Sequence, residues 1–139
     1  MNGRLPKLIQ MLETLISLPS VSSADPTVDQ SNQPVVNVLA NWLDGLGFKI
    51  EIIPLPGSKY NLVATLGSPN PGKGLVLSGH TDTVPYDEGS WASNPFRLTE
   101  KNDRLYGLGS TDMKSFFGLA LEAARIFDPR QFEAPLVIV

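Results

Sequence analysis

The residues of this sequence best suited to chemistry are a histidine and two aspartates in two separate segments. His80, the only histidine, lies two positions before Asp82 at the end of an apolar run, and Asp112 closes a glycine-rich stretch that begins at Gly107. A neutral imidazole is a good ligand for zinc or cobalt, and carboxylates often share such sites with it. These side chains could therefore belong to the metal centre of a hydrolase.

The spacing of His80 and Asp82 suggests two linked roles. Side chains two positions apart in an extended backbone point to the same side. A carboxylate beside a metal-binding imidazole can accept the hydrogen bond of its second ring nitrogen, which fixes the tautomer and raises the basicity of the ligand. This pattern predicts that His80 binds a metal and that Asp82 orients it. The commoner explanation of such a triplet is that His80 is a polar residue at a strand end and that Asp82 begins a turn.

Asp112 also has two explanations. An aspartate just before a helical pattern is usually an N-cap, but it could instead be a carboxylate that bridges two cations beside the turn that Gly107 and Gly109 allow. A nucleotide-binding loop is disfavoured, because an aspartate stands where its third glycine should be. Ser110 lacks the flanking glycines of a nucleophile elbow. Lys114 is predicted to be a solvated residue of the first helical turn.

The elements that must position these segments alternate between helical and extended patterns. The predicted helices cover residues 5–18, 33–45 and 113–127, and the predicted strands cover 48–53, 60–66, 74–78 and 134–139, with a hairpin formed by 97–100 and 104–106. This alternation predicts an α/β fold in which helices pack on a mixed sheet. The strand at 74–78 is apolar enough to be central, and His80 follows its carboxyl end, where open α/β sheets bind ligands.

Composition narrows the classes of function. The 139 residues are 42% hydrophobic and 18% charged, with a net charge of -3, so the chain is globular and has no basic stripe for nucleic acid. No apolar run approaches the ~18 residues of a membrane span, and the absence of cysteine excludes disulfides and thiolate metal sites. These features predict a soluble, cytoplasmic protein. The last strand breaks off as it begins, which predicts that the chain is a portion of something longer.

The order and spacing of the two segments along the chain carry a resemblance. The run Gly79-His-Thr-Asp-Thr-Val-Pro85 is followed by Trp91, Pro95 and Phe96, and then by Leu105-Tyr-Gly-Leu-Gly-Ser-Thr-Asp-Met-Lys114. Together they resemble the co-catalytic metallopeptidase and deacylase family, whose members include aminoacylase and succinyl-diaminopimelate desuccinylase. The likeness extends over essentially the whole chain.

The resemblance implies roles for individual residues. His80 matches the ligand of one metal, Asp112 the carboxylate that bridges two metals, and Asp82 the aspartate that orients His80. It also implies two zinc or cobalt ions and a cis peptide bond between Asp112 and Met113. The general-base glutamate and the other ligands would lie beyond Val139, so residues 1–139 would be the N-terminal portion of the catalytic domain and would lack the dimerisation domain.

The activity implied by the resemblance is hydrolysis of the amide bond of a small N-acyl amino acid by a homodimer. Composition and the lack of a long apolar run predict that it binds neither nucleic acid nor membrane. The isolated chain would bind metal weakly and have little or no activity. Two alternatives stay open. One is a related deacylase, desuccinylase or aminoacyl carboxypeptidase with another substrate, and the other is a degenerate, non-catalytic relative or an assembly fragment.

Overall fold

The computed structural model describes residues 5–68, 70, 73–128 and 133–139. Within these residues there are three α-helices and six strands. In chain order they are α1 (Leu8–Ser17), α2 (Gln33–Gly45), β1 (Lys49–Leu55), β2 (Lys59–Leu66), β3 (Leu75–Leu77), β4 (Thr99–Lys101), β5 (Arg104–Tyr106), α3 (Lys114–Ala124) and β6 (Leu136–Ile138). A short 3-10 helix, Glu88–Ser90, lies between β3 and β4.

The main sheet is mixed and has the strand order β1-β2-β6-β3. β2 pairs antiparallel with both β1 and β6, whereas β3 pairs parallel with β6. β4 and β5 form a separate antiparallel hairpin, as the sequence predicts. The predicted α/β class, with helices packed on a mixed sheet, is confirmed.

The helices are held to the sheet by one apolar core. α2 shows how the sequence directs this packing, because Val35, Val36, Leu39 and Leu43 recur every three or four positions and are all buried. Pro34 lies in the first turn, where its missing N–H leaves no hydrogen bond unmade. None of the helices in the described part of the chain combines the length and the apolarity needed to cross a bilayer.

Two strand predictions were wrong in detail. β1 does not stop before Pro54 but runs through it, since β1 is an edge strand and a proline there breaks no hydrogen bond of the sheet. β3 is not central among the described strands. It pairs with β6 on one side only, and Leu75 and Val76 are 58% and 61% exposed.

Two helices are shorter than predicted. α1 begins at Leu8, because Lys7 is extended and forms its N-cap. α3 ends at Ala124, and the next residues continue as turns. These differences leave the segments around His80 and Asp112 between the same elements as the sequence predicts.

Candidate metal centre

His80 lies in the loop that follows the carboxyl end of β3, as predicted. The backbone of this loop presses directly on the start of α3. A Cβ atom added at Gly79 would lie 2.9 Å from Cδ1 of Phe116, 3.0 Å from Cζ of Phe117 and 3.1 Å from Cε of Met113. The lack of a side chain at Gly79 therefore allows the close approach that brings His80 beside the residues preceding α3.

Asp112 lies in the turn before α3 and faces His80. Its Oδ1 lies 2.9 Å from Nε2 of His80, and the Asp112–Met113 peptide bond is cis, as the resemblance implies. Gly109, in the turn before it, has a φ of +86°, a conformation that glycine adopts at little cost. The N-cap explanation of Asp112 was wrong, because α3 begins at Lys114 and Met113 occupies the cap position.

The second ring nitrogen of His80 faces Asp82. Nδ1 lies 3.1 Å from the Asp82 carbonyl oxygen and 3.2 Å from its carboxylate Oδ1. Both oxygens can only accept when the carboxylate is ionised, so Nδ1 carries a hydrogen. Nε2 then has two choices opposite Asp112. It can be protonated and donate to the carboxylate, or it can use its lone pair, together with the carboxylate, to hold a cation.

The electrostatics of His80 favour positive charge at this position. Burial lowers the pKa of the imidazole, but the hydrogen bonds to the Asp82 carbonyl and the Asp112 carboxylate, with the charges of both aspartates, outweigh burial and raise it above 6.5. A proton is the simplest cation that this arrangement can stabilise. A divalent ion held between the His80 nitrogen and the Asp112 oxygen would interact with the same two groups and would carry more positive charge.

The donor set suits a divalent metal but supplies only part of a coordination shell. The His80 and Asp112 side chains are 47% and 79% exposed, so both donors are open to the cleft. The described residues contain no group of three or more histidine, cysteine, aspartate or glutamate side chains that could hold a metal. An imidazole nitrogen facing a carboxylate oxygen fits zinc or cobalt as two ligands of a larger set.

The two donors open into a cleft of about 850 Å³. It lies between the loops of His80 and Asp112 and the β4–β5 hairpin, and its lining includes Trp91, Arg104 and Tyr106. This volume lies in the usual range for small-molecule sites. The cleft therefore combines two candidate metal ligands, His80 and Asp112, with aromatic side chains and one cationic side chain.

Lys114 is not solvated, and that prediction was wrong. The side chain is fully buried, and its Nζ donates to the Leu18 carbonyl at 2.6 Å. Burial lowers the pKa of the amine to about 8, while the negative charge of Asp82 acts in the opposite direction. The helical phase of Lys114 could have revealed this, because it shares a face with the buried Phe117 and Leu121 three and seven positions later.

The sequence of the chain is similar to a family model and to individual curated proteins. The family model described as peptidase family M20/M25/M40 matches residues 76–139, a range that contains His80, Asp82 and Asp112. The whole chain is 52% identical to acetylornithine deacetylase from Proteus mirabilis, and 98% of it is 49% identical to acetylornithine deacetylase from Pasteurella multocida. It spans 36% of the length of each of these curated relatives.

Solved structures share its fold. Human carnosine dipeptidase 1 matches 94% of this chain with a TM-score of 0.73 and 25% identity, and the matched part is 30% of that protein. An M20 family metallo-carboxypeptidase from Sulfolobus solfataricus matches 96% of this chain, over 30% of its own length, with a TM-score of 0.74 and 24% identity, a likeness of fold alone. The chain is thus similar to peptidase family M20/M25/M40 over residues 76–139 and to acetylornithine deacetylases along its length, and it shares its fold with solved members of the M20 family.

Proposed function

We propose that this chain is the N-terminal part of the catalytic domain of an acetylornithine deacetylase. The reaction would be metal-dependent hydrolysis of N2-acetyl-L-ornithine to L-ornithine and acetate, a step of arginine biosynthesis. The observation that carries the proposal is the approach of His80 Nε2 to Asp112 Oδ1, at 2.9 Å, in a cleft of small-molecule size. The choice of substrate is supported by the relatives from Proteus mirabilis and Pasteurella multocida, each of which is named for this activity.

In this proposal His80 and Asp112 are metal ligands and Asp82 orients His80. Divalent metal use is implied by the family, and the donor types suit zinc or cobalt. The resemblance implies two such ions, with Asp112 as the carboxylate that would bridge them. When bound, a divalent ion supplies Lewis acidity, which polarises a carbonyl oxygen and acidifies water. Asp82 keeps the hydrogen on Nδ1, so the lone pair of Nε2 points towards Asp112 and is available to the ion.

Asp82 contributes charge as well as orientation. Its carboxylate lies 3.2 Å from Nδ1, on the side of the ring opposite to Asp112. Negative charge there makes Nε2 of the imidazole a stronger metal ligand, because the electron density that Nε2 gives to a metal is compensated from the Nδ1 side of the ring. Asp82 would thus stabilise the charged state of the ring that metal binding favours.

Further groups must come from outside the described residues. We place the general-base glutamate, the remaining ligands and a dimerisation domain in the part of the relatives that this chain does not span. The 139 residues alone would then bind metal weakly and turn over little or no substrate. On the same resemblance we expect the full-length protein to be a homodimer whose partner in the cleft is a small N-acyl amino acid. From its composition we expect it to be cytoplasmic.

The proposal is tested by substrate preference. Full-length protein supplied with zinc or cobalt is assayed for acetate release from N2-acetyl-L-ornithine, beside an N-succinyl amino acid and a dipeptide at equal concentration. We expect the acetylated substrate to have the highest kcat/KM and a metal chelator to abolish its turnover. A preference for either competitor would replace the substrate assignment, and turnover that survives metal removal would overturn the metal-dependent reaction.

A further inference from the structure

A short segment after α1, residues 18–22, runs beside the loop that carries His80 and Asp82. Ser20 Oγ donates to the Thr81 carbonyl at 2.7 Å, and Thr83 N donates to the Ser20 carbonyl at 3.0 Å. Ser22 N then donates to the Thr83 carbonyl at 2.8 Å. Ser20 and Thr83, which take part in these hydrogen bonds, are both buried. The position of the His80 loop is therefore defined relative to this segment.

Lys114 joins the same segment to the turn that carries Asp112. It is the first residue of α3 and lies two positions after Asp112, and its Nζ donates to the carbonyl of Leu18 at 2.6 Å. The stem of the side chain fills the space beside Gly109, where an added Cβ would lie 3.1 Å from both Cγ and Cδ of Lys114. One buried side chain thus spans from the Asp112 turn to the segment that holds the His80 loop.

A buried ammonium is an expensive way to fill this space. Taking a cation out of water costs free energy that one carbonyl acceptor does not fully return, and an apolar side chain of similar volume would avoid that desolvation cost. The fold alone would therefore be served by methionine at this position. A lysine has a use there if its hydrogen bond to the Leu18 carbonyl sets the geometry of the site.

We propose that Lys114 is a positioning residue of the metal centre, which fixes the Asp112 turn relative to the His80 loop through the carbonyl of Leu18. This inference rests on the proposed function. Residues that support metal ligands from behind typically change metal affinity or activity about 10–100-fold when they are replaced. Lys114 acts through Asp112 and does not itself line the cleft.

The test introduces Lys114→Met into the full-length protein. Zinc affinity is measured by competition with a chromophoric chelator. The kcat and KM for N2-acetyl-L-ornithine and the midpoint of urea unfolding are measured on the same variant. We expect zinc affinity or kcat to fall about 10–100-fold, with KM nearly unchanged and a urea midpoint no lower than that of the wild type. Lys49→Met, the same chemical change on the exposed face of β1, is the matched control and should change none of these quantities.

Ser20→Ala is a second variant, because it removes the tie on the His80 side while leaving Lys114 in place. It should lower zinc affinity in the same direction. Wild-type zinc affinity and kcat in Lys114→Met would overturn the inference. It would also be overturned if the variant failed to fold, or if its urea midpoint fell together with its zinc affinity, because Lys114 would then serve the fold. A wild-type protein that neither binds zinc nor releases acetate would instead refute the proposed function.

Discussion

Replacement of Gly109 by alanine should destabilise the protein more than the same change at Gly57. Both glycines have positive φ, +86° at Gly109 and +72° at Gly57, so both variants place an L side chain in an unfavourable conformation that costs about 1–2 kcal/mol. Around Gly57 an added Cβ would meet nothing within 4 Å. Around Gly109 it would lie 3.1 Å from the stem of Lys114 and 3.1 Å from Cγ2 of Thr83.

The difference between the two variants isolates the packing contribution. The cost of positive φ and the lowered entropy of the unfolded chain are common to both and cancel when the free energies of unfolding are subtracted. Forcing extra atoms into a packed interior typically costs about 1–3 kcal/mol. We therefore expect Gly109→Ala to lower the free energy of unfolding by about 1–3 kcal/mol more than Gly57→Ala does.

The assay is urea unfolding of the two full-length variants and the wild type, followed by circular dichroism. Zinc affinity measured on the same samples should fall in Gly109→Ala only, because the displaced Lys114 and Thr83 both contact the segments that carry the candidate ligands. Equal destabilisation by the two variants would refute the reasoning, since it would show that the space around Gly109 is not closed by these side chains.

Two further changes test the rest of the fold. Asp29→Asn should lower stability at neutral pH, because the hydrogen bond from Lys59 holds the Asp29 pKa below 3.8. That stabilisation is present above pH 3.8 and is lost as the pH falls through the lower pKa of the folded state. The urea midpoints of variant and wild type should therefore converge in acid. A difference between the midpoints that stayed constant with pH would contradict the role given to the Lys59–Asp29 hydrogen bond. Leu121→Ala empties a fully buried position and should cost about 2–5 kcal/mol in thermal unfolding, whereas Leu119→Ala, at a site 55% exposed, should cost far less; similar losses would contradict the packing of α3.

Local pattern was enough to predict the helices and most of the strands. The bounds of α2 agree with the prediction, because its apolar period, its early Pro34 and the glycine that follows it at position 47 are all local signals. The edge positions of β1 and β3 depend on which strands pair, and this cannot be inferred from either strand by itself. For this reason the passage of β1 through Pro54 and the exposure of β3 were not predicted.

The candidate site was predicted in parts. Spacing alone suggested that His80 and Asp82 act together, but only the resemblance joined them to Asp112. Their meeting depends on Gly79 packing against α3, a contact between segments far apart in the chain. The burial of Lys114 was missed because lysine is usually solvated, although its position on the buried face of α3 indicated the opposite.

The central claim is that His80 and Asp112 are ligands of a catalytic metal, and one measurement tests it most directly. Zinc-dependent acetate release from N2-acetyl-L-ornithine is compared in full-length wild type, His80→Ala, Asp112→Ala and Asp44→Ala, the last an exposed α2 aspartate outside the cleft. We predict that the first two variants lose turnover and bound zinc while Asp44→Ala matches the wild type. Wild-type turnover in His80→Ala or Asp112→Ala would contradict the assignment of the site.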